Sequence, residues 1–168
     1  MTTPWKRAVI GIGSNLGDRS ATIASARAAM DADPHIRVVA NSSLYRSAAV
    51  RPEGIDATEA PEYLNAVTIV QTEYEPHALL DALLRIERNH GRERSVKWGD
   101  RTLDLDILQM EDSSVLTDDL QIPHPLILDR PFVCVPWAEV EPGAMVGSSF
   151  VRDFATQPLE VFIEELAR

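Results

Sequence analysis

The sequence predicts an α+β fold of the ferredoxin-like type: an antiparallel sheet built in the order β-α-β-β-α-β, with helices on one face and helical additions at the C-terminus. Three observations predict it. Four segments carry strand patterns, two amphipathic helical patterns separate them as this order requires, and prolines interrupt the pattern after the fourth strand. The 168 residues are enough to bury a core, so we expect residues 1–168 to form a single domain.

The first half of the chain begins with a β-branched apolar run at residues 7–12, which predicts a buried strand. The glycines of residues 11–17 have the spacing G-x-G-x-x-x-G, which departs from a dinucleotide fingerprint, and a tight strand-to-helix turn explains them. Asp18 or Ser20 can cap the helix that follows, and Pro34 ends it. Residues 36–45 predict a second strand.

The second half predicts two loops beside two further strands. Residues 51–61 are rich in proline, glycine and acids and form the first loop. Residues 63–72 form the third strand, and a helix begins near Pro76 and stops at Gly91. Residues 92–101 form the second loop, and residues 103–110 the fourth strand.

The segments after the fourth strand are predicted to be turn-like and then helical. Residues 111–119 are acidic and turn-like. Residues 122–125 cannot form a central strand, because their prolines lack an N–H donor. Helices are predicted over residues 132–140 and 158–167.

The charge of the chain argues against two classes of partner. The net charge is −10, whereas broad binding to nucleic acid or to an anionic membrane needs a basic surface. A local basic cluster nevertheless occupies residues 85–101 and suggests a small, highly charged anion as ligand. A helix with solvated arginines is the alternative explanation for Arg85 and Arg88.

Cysteine usage and hydropathy indicate a cytosolic protein. The single cysteine, Cys134, excludes a disulfide within the chain, and no Cys/His cluster has the spacing of a zinc site. The N-terminus lacks the apolar core of a signal peptide, and no apolar run approaches a membrane span. We therefore expect a soluble, cytoplasmic protein.

Asp104 and Asp106 are the strongest candidates for chemistry. They are two residues apart in a predicted strand, so their side chains should share one face. Two adjacent carboxylates without His or Cys suit a hard cation such as Mg²⁺. A solvated strand face is the ordinary explanation of D-x-D alone; the bases Lys97 and Arg101 just upstream favour a site for phosphate and metal.

Several other residues have two open interpretations. Tyr63 and Asn65 should share a face, where they could stack on and read a heterocycle, or form an ordinary strand surface. Trp98, in a polar loop, favours binding over the core. Glu87 could pair with arginine on its own helix or accept a hydrogen bond from a ribose.

The proline-rich segment holds three further candidates. His124 is either a structural histidine bonded to backbone or a phosphate contact. Arg130 is either a surface residue or a phosphate clamp. Phe132 follows a proline and is more typical of the core than of a ligand site.

A series of short motifs runs through the chain over roughly residues 8–142. The most specific is R-T-L-D-L-D-I at residues 101–107. The others are G-I-G-S-N-L-G (11–17), L-Y-R-S (44–47), Y-L-N-A-V (63–67), I-E (86–87), G-R-E-R (91–94), W-G-D (98–100), I-P-H-P (122–125) and R-P-F (130–132). In these motifs and their order the chain resembles the 6-hydroxymethyl-7,8-dihydropterin pyrophosphokinases, enzymes of folate synthesis.

The resemblance implies transfer of diphosphate from ATP to the hydroxymethyl oxygen of the pterin, with release of AMP. It implies ATP as co-substrate and two Mg²⁺ ions held by Asp104 and Asp106. It also implies small-molecule partners only, and we expect a monomer. A ferredoxin-like module that binds a nucleotide without turning it over is the alternative.

The resemblance further implies roles for individual residues. Arg92 and Arg101 would steady the phosphate charge during transfer, as catalytic residues that also bind ATP. The remaining ATP contacts would come from Glu87, Arg94, Lys97, Trp98, Ile107, His124 and Arg130. The pterin contacts would come from Ser47, Val50, Tyr63, Asn65, Trp98 and Phe132. The loops at residues 51–61 and 91–100 are expected to close over the substrates.

Overall fold

The structure is a computed structural model that describes residues 4–15, 17–47, 63–91, 103–156 and 159–161. The first predicted loop lies outside the described residues, as do residues 92–101 of the second and most of the predicted C-terminal helix. The account that follows concerns the described ranges alone.

One antiparallel sheet forms the centre of the fold. Its strands are β1 (Lys6–Ser14), β2 (Ile36–Asn41), β3 (Tyr45–Ser47), β4 (Tyr63–Thr72) and β5 (Asp104–Met110). The order across the sheet is β2-β4-β1-β5, and β3 also pairs with β4. Every one of these pairings is antiparallel, which confirms the predicted ferredoxin-like sheet.

Three helices cover the two faces of this sheet: α1 (Arg19–Ala32), α2 (Pro76–Asn89) and α3 (Pro131–Val140). Alternation along the strands divides the core. On β1, Ala8, Ile10 and Ile12 join the cluster formed with α1 and α2, whereas Val9 joins the cluster formed with α3. The prediction of helices on one face thus describes α1 and α2, while α3 packs on the opposite face.

Short elements complete the described part of the chain after β5. Two-stranded hairpins are formed by β6 (Val115–Leu116) with β7 (Gln121–Ile122), and by β8 (Met145–Val146) with β9 (Ser149–Phe150). 3₁₀ helices cover Ile127–Asp129 and Val151–Phe154. The Ile122–Pro123 peptide bond is cis, and the segment that follows it runs beside β5 rather than inside the sheet.

Two expectations about strands need correction. The predicted strand over residues 36–45 is divided into β2 and β3, because Ser42 leaves the regular ladder: its hydroxyl oxygen accepts the Val67 N–H at 2.8 Å. Gly11 and Gly13 lie inside β1 and not in a turn. Gly17, with φ of 67°, is the glycine of this group in the turn itself.

The predicted helix over residues 158–167 is wrong for the three residues of it that are described. Residues 159–161 are not helical, and Val161 forms an antiparallel bridge with Tyr45. The Arg46 N–H also donates to the Glu160 carbonyl at 2.9 Å. Glu160 and Val161 therefore make backbone contacts with β3 at positions where a helix was predicted.

Within the described ranges, no helix has both the length and the apolar character that crossing a membrane requires.

Candidate active site

A row of three residues crosses the sheet at one end of β1. Gly13 lies opposite Asn65 of β4 on one side and opposite Asp104 of β5 on the other. Directly opposed residues of an antiparallel pair project from the same face, and neighbouring strands lie about 4.8 Å apart. Asn65 and Asp104 are thus on one face, separated by the width of a single glycine strand.

Asp104 and Asp106 share that face, as their spacing predicts. Asp104 lies opposite Gly13 and Asp106 opposite Gly11, and both carboxylates are half-buried. The alternating residues Leu105 and Ile107 are buried in the cluster with α1 and α2. Apolar burial on one side of β5 therefore fixes both carboxylates on the other side, at an accessible position.

This pair of carboxylates supplies oxygen ligands only. In the described ranges, no group of three or more His, Cys, Asp or Glu side chains is placed to hold a metal ion. Two carboxylates with open positions fit Mg²⁺, which typically takes the rest of its octahedral shell from water and substrate phosphates. The donor set does not fit a closed structural zinc site.

The opposite end of the row is built by β3 and β4. Asn65 is 6% exposed, and its amide nitrogen donates to the Ser47 hydroxyl. The neighbouring Tyr63 lies opposite Ser47 in the register. A Cβ added at Gly13 would lie 3.4 Å from both Asn65 Oδ1 and Tyr63 Cδ1, so the two side chains share a face, as predicted.

His124 and Arg130 approach the carboxylates from the outer side of β5. The His124 N–H donates to the Leu108 carbonyl at 2.9 Å, which docks this segment on the strand edge. Burial lowers the pKa of His124, the charge of Arg130 lowers it further, and Asp104 opposes both effects. Because Nδ1 accepts the Leu126 N–H at 3.2 Å, the proton of the neutral ring is on Nε2.

Comparison with known proteins identifies the family. The model of the 7,8-dihydro-6-hydroxymethylpterin-pyrophosphokinase family matches residues 9–142, which is most of the chain. The chain belongs to this pyrophosphokinase family. It is 42% identical over 147 residues to a 2-amino-4-hydroxy-6-hydroxymethyldihydropteridine pyrophosphokinase of Methylorubrum extorquens, covering 88% of this chain and 90% of that protein. The enzyme of the same name from Haemophilus influenzae is 37% identical over 153 residues, with 88% and 92% covered.

Solved structures share the fold. The crystal structure of Plasmodium falciparum HPPK-DHPS wild type with pteroate superimposes with a TM-score of 0.69 at 13% sequence identity. The match covers 92% of this chain and 42% of that one, so the chain spans about two fifths of that longer protein. At this identity the similarity supports the fold of the pyrophosphokinase family and nothing finer.

Two predicted nucleotide contacts, Glu87 and Ile107, are buried on the face of the sheet that α1 and α2 cover. Glu87 is 1% exposed, and its Oε2 accepts the Leu105 N–H at 2.8 Å. Leu105 lies between Asp104 and Asp106, so this hydrogen bond joins α2 to β5 at the position of the two aspartates. Ile107 is buried in the core with α1 and α2, so contact with a nucleoside would have to come from its backbone.

Arg130 and Phe132 flank the start of α3. The guanidinium carbon of Arg130 lies 5.7 Å from the centre of the Phe132 ring. Phe132 is half-buried against the core cluster on the α3 face. The ring thus has one side in the core and one side toward Arg130.

Six predicted site residues lie outside the described residues: Val50, Arg92, Arg94, Lys97, Trp98 and Arg101. Some of the described residues that flank these gaps lie at the candidate site. Ser47 and Tyr63 face each other at the ends of β3 and β4, and Leu103 directly precedes Asp104.

Sequence reasoning placed Gly11 and Gly13 in a turn and missed that they are strand residues lying beside the candidate site. Both lie in the central strand β1, between the carboxylates of β5 and the side chains of β4. A side chain at either position would project into the face that carries Asp104, Asp106 and Asn65. The signal was available in the pattern: alternating glycines inside a β-branched run mark close approach rather than a turn.

Proposed function

We propose that this protein transfers the β,γ-diphosphate of ATP to the hydroxymethyl oxygen of 6-hydroxymethyl-7,8-dihydropterin, releasing AMP, as its family does in folate synthesis. The observation that carries the proposal is the row across the sheet. Paired carboxylates lie on β5 and a buried amide lies on β4, on the same face, with two glycines of β1 between them. One end suits a metal–triphosphate and the other suits a heterocycle.

Asp104 and Asp106 would hold Mg²⁺, with two ions expected. When bound, the metal neutralises charge on the triphosphate and orients the phosphorus that is attacked. Both residues are half-buried and thus not sealed in the core, as metal ligands that also meet a substrate must be. Such transfers depend on positioning and charge stabilisation, so the site does not require a strong general base.

The cationic side of the site would be supplied by several bases. Arg92 and Arg101 would steady the charge of the transferred group, and Arg94, Lys97, His124 and Arg130 would hold the ATP phosphates. His124 is near enough to both Arg130 and Asp104 for their charges to act on its pKa in opposite directions, which supports this assignment for His124. Trp98 and the backbone of Ile107 would contact the nucleoside end, whereas the buried Glu87 would act indirectly, by holding Leu105 between the two aspartates.

The pterin would lie over Gly13, between Asn65 and the carboxylates. Asn65 carries a donor and an acceptor, which can read the amide-like edge of the heterocycle. Ser47 already accepts a hydrogen bond from Asn65 and holds its amide plane. Tyr63, Trp98 and Phe132 would surround the ring, and Val50 would add a backbone contact.

The test is the identity of the nucleotide product. The protein is incubated with ATP, Mg²⁺ and 6-hydroxymethyl-7,8-dihydropterin, and nucleotides are resolved by chromatography. We expect pterin-dependent AMP. ADP as the product would indicate an ordinary kinase, and binding of both ligands without any turnover would indicate a binding module.

Asp104→Asn provides the matched variant for this test. Loss of one metal carboxylate should lower AMP formation by on the order of a hundredfold or more, since a metal supplies several kcal/mol of transition-state stabilisation. Asp118→Asn, at an exposed acid of the hairpin turn, is the control and should retain activity. Full activity of Asp104→Asn with an unchanged circular dichroism spectrum would remove the metal assignment.

A further inference from the structure

The break between β2 and β3 is held from α3 by Glu139. Its carboxylate accepts the Ser43 N–H at 2.8 Å, the Ser43 hydroxyl at 2.8 Å and the Tyr45 hydroxyl at 3.0 Å. All three donors belong to the residues that lead into β3 or begin it. One side chain of α3 therefore fixes the point at which the edge of the sheet restarts.

α1 holds the same break from the other face of the sheet. Arg27 donates to the Thr68 hydroxyl at 2.9 Å and to the Ser42 carbonyl at 3.1 Å. Burial lowers the pKa of Arg27 to about 10, and the charge of Glu139 partly offsets this effect. Arg27 and Glu139 therefore bind the same break from the two faces of the sheet.

β3 transmits this anchoring to the pterin end of the candidate site. Tyr45 lies opposite Asn65, and Ser47, two residues further on, accepts the hydrogen bond of the Asn65 amide. With three residues, β3 is too short for its ladder alone to fix its position. Its register against β4 therefore depends on contacts outside the ladder, and Glu139 supplies three of them.

We infer that Glu139 is a positioning residue for pterin binding, acting through Ser43 and Tyr45 on the pair Ser47–Asn65. This inference rests on the proposed function and names a residue of α3 that would not touch the substrate. Removing the carboxylate leaves the start of β3 held only by its pairing with β4 and by the backbone contacts with Glu160 and Val161, so Ser47 should orient the Asn65 amide less firmly. The donors that Glu139 accepts from lie at the β3 side of the sheet, whereas the ATP end lies on β5, beyond β4 and β1.

The experiment is steady-state kinetics on five proteins: the unmodified chain, Glu139→Ala, Glu139→Gln, Tyr45→Phe and the double variant Glu139→Ala/Tyr45→Phe. Glu139→Ala should raise the KM for the pterin about tenfold, the effect of about one hydrogen bond of net stabilisation. The KM for ATP and the kcat at saturating pterin should stay within about twofold. Glu139→Gln keeps an acceptor oxygen and the side-chain volume, so it should restore most of the pterin affinity.

Tyr45→Phe removes one of the three bonds and nothing else. It should raise the pterin KM about threefold, and should add little to Glu139→Ala because its partner is already gone. This non-additivity is a readout that a loss of general stability would not give. Tyr45→Phe also keeps the inference testable if Glu139→Ala fails to fold, because it removes a bond to the same carboxylate.

Glu141→Gln is the matched control, at the C-terminal end of the same helix. Glu141 binds Arg7 at the other end of β1, away from the candidate site. This variant should lose stability without a change in the pterin KM.

Two results would overturn the inference. The first is a pterin KM within twofold of the unmodified chain for folded Glu139→Ala or, if that variant does not fold, for Tyr45→Phe; the second is an equal rise in the KM for both substrates. Either result leaves the proposed function intact, because the unmodified chain still forms AMP. Absence of AMP formation by the unmodified chain would overturn the proposed function and this inference together.

Discussion

Gly13 is the residue on which the geometry of the candidate site depends most directly. It separates Asn65 from Asp104 in the central strand, and its missing side chain leaves the face between them open. Glycine in a strand interior weakens the strand by about 0.5–1 kcal/mol relative to alanine. The protein thus keeps at this position a residue that is unfavourable for the strand and favourable for a flat ligand above it.

Gly13→Ala should therefore separate stability from binding. The added methyl group would meet Asn65 Oδ1 and Tyr63 Cδ1 at 3.4 Å, a tight but tolerable contact, so the melting temperature should fall little or rise. The methyl group would nevertheless occupy the face on which the pterin is proposed to lie. We expect the pterin KM to rise about tenfold or more, measured by AMP formation.

Gly143→Ala is the control for this prediction. A Cβ at Gly143 would meet nothing within 4 Å, and this residue lies beyond α3, far along the chain from β1. Gly143→Ala should leave the pterin KM unchanged. A Gly13→Ala protein with normal pterin affinity would show that the substrate does not approach this strand.

Among the elements, α1 illustrates how an end is set by one side chain. Asp18 is the N-cap, and its Oδ1 accepts the Ala21 N–H at 3.2 Å, which decides between the two predicted caps. The helix ends at Ala32, two residues before Pro34. α1 carries Arg27 at the position from which it reaches the β2–β3 break, so its start and length matter beyond its own stability.

Asp18→Ala should lower the free energy of unfolding by about 1 kcal/mol, because the first turn of α1 loses the acceptor for one of its exposed N–H groups. This free energy is measured by urea denaturation, with circular dichroism as the signal. Glu75→Ala is the control, since Glu75 is the N-cap of α2 but makes no side-chain cap bond. Equal losses in the two variants would mean that the Asp18 bond contributes nothing.

At the scale of the whole molecule, the two ends of β1 have different roles. The candidate site lies at one end of β1. At the other end, Arg7 donates to both oxygens of Glu141 and to Gln109 Oε1, and Trp137 Nε1 donates to Glu141 at 2.8 Å. A cleft of about 450 Å³ beside this pair is lined by Arg7, Gln109, Glu141, Gly143, Ala144 and Met145. This ion pair fastens the end of α3 to the sheet.

Stability should therefore depend on the ionisation of Glu141. Burial raises the pKa of Glu141, but the hydrogen bonds from Arg7 and Trp137 and the charge of Arg7 outweigh it, so the net pKa is below the usual value of 4.5. A depressed carboxyl pKa gives stability that is present above the unfolded pKa and lost as the pH falls through the folded one. Glu141→Gln lacks this contribution at every pH.

The measurement is urea denaturation of the unmodified protein and Glu141→Gln from about pH 7 to about pH 3. The difference in unfolding free energy between them should be constant above about pH 5 and should shrink as the pH falls further. A difference that stays constant over the whole range would mean that the ion pair does not stabilise the fold.

The sequence alone determined the order of the four main strand segments and of α1, α2 and α3, and the placement of two candidate carboxylates. Period-two alternation fixed the face of Asp104 and Asp106, because Leu105 and Ile107 had to be buried. The family motifs predicted the type of reaction. The sequence did not predict the division of residues 36–45 into β2 and β3, since an apolar run gives no sign that a serine hydroxyl will replace a backbone group in the ladder.

Contacts between segments distant in the sequence were decided only by the tertiary structure. The pairing of Gly13 with both Asn65 and Asp104 joins three segments, and no local pattern specifies which strands flank β1. The anchoring of β3 by Glu139, 96 residues from Ser43, is of the same kind. Local sequence fixes which way a side chain points along its own strand or helix, but its neighbours across the sheet are fixed by how the whole core packs.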